Sequence, residues 1–312
     1  MSVISRYVNV GTCPTLLFPE AFVDPLVQYH AVLTCCRMTH YDVLEMFLPE
    51  DKELRKREIQ IIKETGKIIN YNYPLPLAQE GPKNPCSDES EVRRAAVEYA
   101  KLNLDFAAEV ASPLMVVATP PDKGVERRAE QLKRFADFFL EVAEYARQYS
   151  IDMCLEPMER HRFKKNLLGP TDESADFILE LQRQGASNAK IMFDTAHVPL
   201  MEEDMKTALE HSVRAGLRHV QLGDAVLIEG HEFYGHTHPP VGIQGGMFDQ
   251  EELTDQLCML IDCGYISKEP EGEKPSISWE VRPYPGVSPE LSAQVLYDKL
   301  NSAFIDALAR YK

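Results

Sequence analysis

The chain has 312 residues, 44% of them hydrophobic, and carries 33 Lys and Arg against 49 Asp and Glu for a formal net charge of −16. That composition belongs to a globular protein and excludes a disordered or fibrous one, while so acidic a surface repels phosphate backbones and argues against a nucleic-acid partner. No stretch offers about 18 consecutive apolar residues, which excludes a transmembrane helix, and the first ten residues lack the charged start and apolar run of a leader, so a cytosolic address with no membrane partner is expected.

In chain order, short β-rich runs alternate with segments of helical spacing. The predicted strands are 4–10, 41–47, 67–73, 114–119, 151–157, 190–197, 217–224 and 276–282. The predicted helices are 22–38, 50–66, 89–111, 126–149, 173–184, 202–215, 249–263 and 289–311. The clearest helix sets Leu132, Phe135, Phe138, Phe139, Val142 and Ala143 on one face. Strict alternation implies parallel strands joined by crossover helices. Without a Ser/Gly linker or low-complexity tract, eight such units predict an α/β fold: a single closed (β/α)8 barrel over 1–312, with long loops at about 159–172 and 225–248. A doubly wound sheet would want G-x-G-x-x-G after an early strand, and none occurs. The seven cysteines form no C-x-x-C pair and mostly lie in apolar stretches, so reduced core thiols are expected.

In such a barrel the chemistry sits at the C-terminal ends of the strands. The fifth predicted strand runs out in Glu156-Pro157-Met158-Glu159 and the sixth in Asp194-Thr195-Ala196-His197. The seventh reads His219-Val220-Gln221-Leu222-Gly223-Asp224, and the eighth ends Glu280-Val281-Arg282. Alternation turns His219 and Gln221 into the barrel and Val220 and Leu222 toward the helices. A carboxylate buried at an apolar strand end costs on the order of several kcal/mol unless it is paired or holds a metal. Glu156, Asp194 and Glu280 with a neutral amide or imidazole suit a divalent cation, Mn²⁺ first and Mg²⁺ or Co²⁺ next, better than structural zinc.

These strand ends, with the downstream loop Pro240-Val241-Gly242-Ile243-Gln244-Gly245-Gly246-Met247-Phe248-Asp249, resemble the xylose-isomerase-like superfamily of sugar isomerases and epimerases, a TIM-barrel superfamily. The resemblance is carried by residues from about 151 to 283. It implies a divalent metal held by Glu, Asp, His and Glu from the last four strands. Glu156, Asp194 and Glu280 match that set, and the histidine falls at Gln221. Either Gln221 ligates through its amide oxygen, or His219, two residues deeper on the same face, takes its place. This departure, with the acidic charge, argues against the zinc-dependent abasic-site endonuclease branch.

The resemblance further implies proton abstraction beside the carbonyl of a keto-sugar through a metal-stabilised enediolate. Glu156 and Glu280 then serve as both ligands and acid/base groups, with His197 beside them as a catalytic or substrate-hydroxyl group. Glu45 at the end of the second strand, His236 and His238 in the His-rich loop, and Arg282 are the other substrate-binding candidates. An alternative reading is a lyase that eliminates the aglycone from 3-oxo-glycosides, similar to the α subunits of C-glycoside deglycosidases, which work with a small second subunit. A second alternative is an inactive barrel used as a binding module. A homo-oligomer is expected from the acidic surface and the resemblance together.

Overall fold

Eight short parallel strands hydrogen-bond in sequence order and close on themselves in the computed structural model, which describes residues 2–74, 81–270 and 272–311. They are β1 (Asn9–Thr12), β2 (Val43–Met46), β3 (Ile68–Asn72), β4 (Leu114–Val117), β5 (Asp152–Leu155), β6 (Ala189–Asp194), β7 (Leu217–Leu222) and β8 (Ser276–Trp279). This is the expected (β/α)8 barrel, closed by the β1–β8 pairing of Asn9 with Ser276 through Thr12 with Trp279. Helices Pro25–Arg37, Lys52–Thr65, Ser90–Glu109, Val125–Arg147, Thr171–Arg183, Met205–Arg214, Gln250–Asp262 and Pro289–Ala309 carry the chain from strand to strand.

Local chemistry sets their ends. Asp24 and Asp51 accept the first free N–H groups of their helices, and Asp249 with Glu252 completes a capping box. Gly66 stops Lys52–Thr65 at φ +68°, a conformation that costs a side-chain-bearing residue energy.

Most strands are shorter than the sequence expectation, the eighth ending at Trp279 instead of 282, and two of the differences have a visible cause. The first strand starts at Asn9, because Ile4–Arg6 winds into a 3₁₀ turn, at whose start the backbone N–H groups of Val3 and Ile4 donate to Asn301 Oδ1. The sixth ends at Asp194 instead of 197. There Asp194 Oδ1 accepts the Ala196 N–H, and the chain turns into the short helix His197–Leu200.

The barrel interior is divided. Leu114, Val116, Cys154 and Met192 form an apolar cluster from β4, β5 and β6. The opposite arc is polar: Glu45, Asn70, His219, Gln221, Ser276 and Ser278 from β2, β3, β7 and β8 are all buried. Gly11 on β1 belongs to this arc, since a Cβ there would stand 2.1 Å from Ser278 Oγ. Outside the strands lies the main core, in which Phe135 stacks on Phe177 at 5.6 Å. All seven cysteines are free thiols, five of them buried. Among the described residues no helix is long and apolar enough to cross a membrane.

A carboxylate and histidine centre at the barrel mouth

The last four strands deliver one oxygen donor each to the C-terminal mouth. Glu156 follows β5, Asp194 closes β6, Gln221 lies in register beside Asp194 on β7, and Glu280 follows β8. Glu156 Oε1, Asp194 Oδ2, Gln221 Oε1 and Glu280 Oε2 are all buried without a hydrogen-bond partner among the described residues. Each such atom costs roughly 1–3 kcal/mol, more when charged, and native structures leave few of them. Unpartnered oxygens of this kind on consecutive strands are donors that suit a hard divalent cation, so the chemistry of the residues present fits such an ion.

Their electrostatics agree. Burial, with Asp194 nearby, pushes the Glu156 carboxyl up to about 8 against the relief that His197 gives. Burial and the charges of Glu156 and Asp194 drive Glu280 well above the carboxylate range. Carboxyl groups this crowded hold protons unless a cation replaces them.

Three histidines stand over the carboxylates. His197, at the start of its short helix, has Nδ1 2.9 Å from the Pro157 carbonyl oxygen and Nε2 3.2 Å from Asp194 Oδ2. Burial alone would lower its pKa, but Asp194 and Glu156 hold the imidazole above its ordinary value. His238 has Nδ1 3.0 Å from the Glu280 carbonyl oxygen, and its Nε2 lies 3.1 Å from His236 Nε2. His236 Nδ1 faces Glu159 Oε1 at 3.1 Å. Potential ligand atoms of Glu156, Asp194 and His197, of Asp194, His238 and Glu280, and of His197, His236 and His238 lie within 4.8 Å of one another in each group.

Beside this centre is a cavity of about 210 Å³ lined by Glu156, Glu280, His236, His238, Lys164 and Arg282, with Leu16, Phe22, Met158 and Thr237 completing the wall. It is smaller than the roughly 300–1,000 Å³ of pockets for drug-sized ligands. Arg282 reaches it with Nε donating to the Thr237 carbonyl, so the guanidinium is tied to the His-rich loop.

Two sequence candidates lie elsewhere. Glu45 is fully buried inside the barrel, where its carboxylate accepts from His219 Nε2 and Gln221 Nε2. His219 spends its ring on that contact and on Ser276 Oγ, 2.8 Å from Nδ1, which leaves no nitrogen for a cation at the mouth. Both side chains, proposed from the sequence for the mouth, are engaged in the polar arc below it.

Sequence reasoning missed Glu159, Lys164 and Phe22. Glu159 carried a signal, as a second acid three residues past Glu156 on the same strand exit. Lys164 stands out in the basic run from Arg160 to Lys165, where Arg160 is taken by Glu173 and Arg162 by Glu202. The two long loops interlock: Phe163 lies against Gly235, φ +91°, where a Cβ would sit 2.5 Å from the ring. Asp224 ties down the second loop, its Oδ1 accepting from the N–H groups of Ala225, Met247 and Phe248.

Residues 36–283 match the family model described as the xylose isomerase-like TIM barrel. A curated relative, D-psicose 3-epimerase of Agrobacterium fabrum, is 22% identical over 179 residues, which are 54% of this chain and 58% of that protein. The chain thus spans a little over half the length of the curated relative it matches. A crystal structure of D-psicose 3-epimerase with D-tagatose from Clostridium cellulolyticum H10 superposes with a TM-score of 0.66 at 17% identity, covering 97% of this chain and 99% of that one. The apo form of 3-keto-D-glucoside 4-epimerase from E. coli gives 0.65 at 18%, covering 95% and 98%.

Proposed function

This chain belongs to the xylose isomerase-like TIM barrel family, and we propose that it is a divalent-metal-dependent sugar epimerase or isomerase acting beside the carbonyl of a keto-sugar. One observation carries the reading: four buried oxygens, without a hydrogen-bond partner among the described residues, at the ends of β5, β6, β7 and β8. Glu156, Asp194, Gln221 and Glu280 would hold the cation, Mn²⁺ before Mg²⁺ or Co²⁺. When bound, it supplies Lewis-acid polarisation of the substrate's carbonyl.

The protein's own groups do the rest. Glu156 and Glu280 come from strands three apart around the barrel, so they approach a sugar from different sides. One carboxylate oxygen removes the proton beside the carbonyl and the other returns a proton to the opposite face. His197, fixed through Nδ1 by the Pro157 carbonyl, points Nε2 at Asp194 and the substrate hydroxyls nearby. His236, His238 and Arg282 line the cavity and bind the remaining hydroxyls.

A second reading keeps the same proton abstraction but expels an aglycone from a 3-oxo-glycoside. It is favoured by an apolar cavity of about 380 Å³, lined by Phe47, Pro49, Pro74 and Tyr99, that shares Phe22 with the polar one. Likeness to a 3-keto-D-glucoside 4-epimerase supports the same substrate class.

The test is metal analysis of the purified protein followed by assay on ketoses and 3-oxo-glucosides. One divalent ion per chain and an isomeric product of unchanged carbon count support the epimerase. Release of an aglycone selects the lyase. No bound divalent ion and no effect of EDTA on turnover overturn both, and stoichiometric metal without turnover leaves a binding module. Light scattering of the same sample reads the homo-oligomer and any small second subunit.

A further inference from the structure

Where the resemblance calls for an imidazole, this chain has Gln221, and an amide is an ambiguous ligand. Its oxygen coordinates a cation while its NH₂ repels one, and rotation by half a turn about the last side-chain bond exchanges them. Something must therefore fix which end faces the mouth. Within the barrel, Gln221 Nε2 donates to Glu45 Oε2, while Gln221 Oε1 is buried with no partner among the described residues. Glu45 Oε1 in turn accepts from His219 Nε2. His219 Nδ1 lies 2.8 Å from Ser276 Oγ and 3.2 Å from Asn70 Nδ2, a donor that leaves Nδ1 the acceptor and puts the ring proton on Nε2, toward Glu45. Glu45, His219 and Gln221 are each no more than 1% exposed, so water cannot substitute for any of these contacts.

We propose that Glu45 is a positioning residue for the cation: by holding the Gln221 amide nitrogen it presents Gln221 Oε1 as the fourth oxygen ligand, with His219 bracing Glu45 from below. The proposal rests on the metal-dependent reading above and explains why losing the histidine need not lose the site. A carboxylate is the one side chain that accepts from both neighbours and donates to neither. Partners of a metal ligand commonly carry a factor of about 10–100 in affinity.

The experiment compares Mn²⁺ binding by wild type, Glu45→Gln and the double variant Glu45→Gln/Gln221→His, using the free-Mn²⁺ electron paramagnetic resonance signal, with thermal unfolding in EDTA as the control on folding. A glutamine at 45 offers one acceptor for two donors, so the Gln221 amide turns over. Mn²⁺ affinity is expected to fall about 10–100-fold in Glu45→Gln. It recovers in the double variant, because an imidazole at 221 no longer depends on amide orientation. Should Glu45 matter only for folding, the double variant would bind no better than Glu45→Gln, and the proposal would be wrong. One Mn²⁺ per wild-type chain with an unchanged dissociation constant in Glu45→Gln also overturns it, leaving the metal-dependent reading intact. No binding by wild type overturns both.

A crystal structure of the wild-type Mn²⁺ complex decides the matter even if neither variant folds. Gln221 Oε1 on the ion with Nε2 on Glu45 is expected. Nε2 toward the ion, or His219 as a ligand, is the contrary result.

Discussion

His197 is fastened through Nδ1 to the Pro157 carbonyl oxygen at 2.9 Å, which turns Nε2 to within 3.2 Å of Asp194 Oδ2. A backbone carbonyl of the β5 exit thereby sets the ring that stands over the end of β6. In the proposed reaction His197 contacts substrate and leaves the ion to the four oxygens. His197→Gln is therefore expected to lower kcat/KM by roughly 10²–10⁴, with Mn²⁺ affinity changed less than about tenfold. If Mn²⁺ binding were lost as completely as in a Glu156 variant, His197 would be a ligand instead.

The carboxylate cluster makes a prediction about stability without turnover. Glu156 and Glu280 are buried beside Asp194, and without a cation the burial and crowding that raise both pKa values cost the fold stability at neutral pH. Glu156→Gln and Glu280→Gln relieve that cost. Each variant is expected to melt at or above the wild-type temperature in EDTA, yet to lose the rise that saturating Mn²⁺ gives the wild type. That rise reflects about 2.7 kcal/mol at a hundredfold excess over the dissociation constant. Variants that melt well below wild type in EDTA and still gain stability from Mn²⁺ would mean the acids are ordinary structural groups.

The alternation of periods in the sequence translated into the barrel because each βα unit obeys local rules: apolar strands, amphipathic helices, and capping acids such as Asp51 and Asp249. The strand-end acids were legible as well, since Glu156, Asp194 and Glu280 are costly residues at the ends of apolar runs. Glu45 was not. Parity turns a strand residue inward but cannot say how far below the mouth it lies, nor that His219 and Gln221 converge on it from five strands away in sequence. The role of Glu159 toward His236 depends on two loops meeting, and such contacts leave no local period.

Loop 225–248 hangs on Asp224, whose Oδ1 gathers three backbone N–H groups from both ends of the excursion. Gly246 packs so close that a Cβ there would be 2.3 Å from Asp224 Oδ2. Asp224→Ala removes the acceptor of three N–H groups, that of Ala225 buried, and is expected to cost about 1–3 kcal/mol, with Gly246→Ala acting in the same direction. Because His236 and His238 ride on this loop, limited proteolysis should cut both variants between 228 and 247 faster than wild type. Unchanged cleavage there would show that the interlock of Phe163 with Gly235 holds the loop on its own.

Glu58, on the outer helix Lys52–Thr65, sets a pH dependence separate from the mouth. It is fully buried and neither carboxyl oxygen has a partner among the described residues. Burial pushes it from 4.5 up to about 8. Below pH 4.5 the folded and unfolded chains both hold the proton, and the folded state loses nothing. As pH rises toward 8 the unfolded chain releases the proton while the folded chain keeps it, so stability falls by about 1.4 kcal/mol per pH unit. The loss reaches on the order of 4 kcal/mol near pH 8 and then levels off. Glu58→Gln cannot ionise and escapes this slope. In urea unfolding its stability relative to wild type should increase by about 4 kcal/mol between pH 5 and pH 8.5. A difference that stays constant across that range would mean that Glu58 ionises in the folded protein as it does in water.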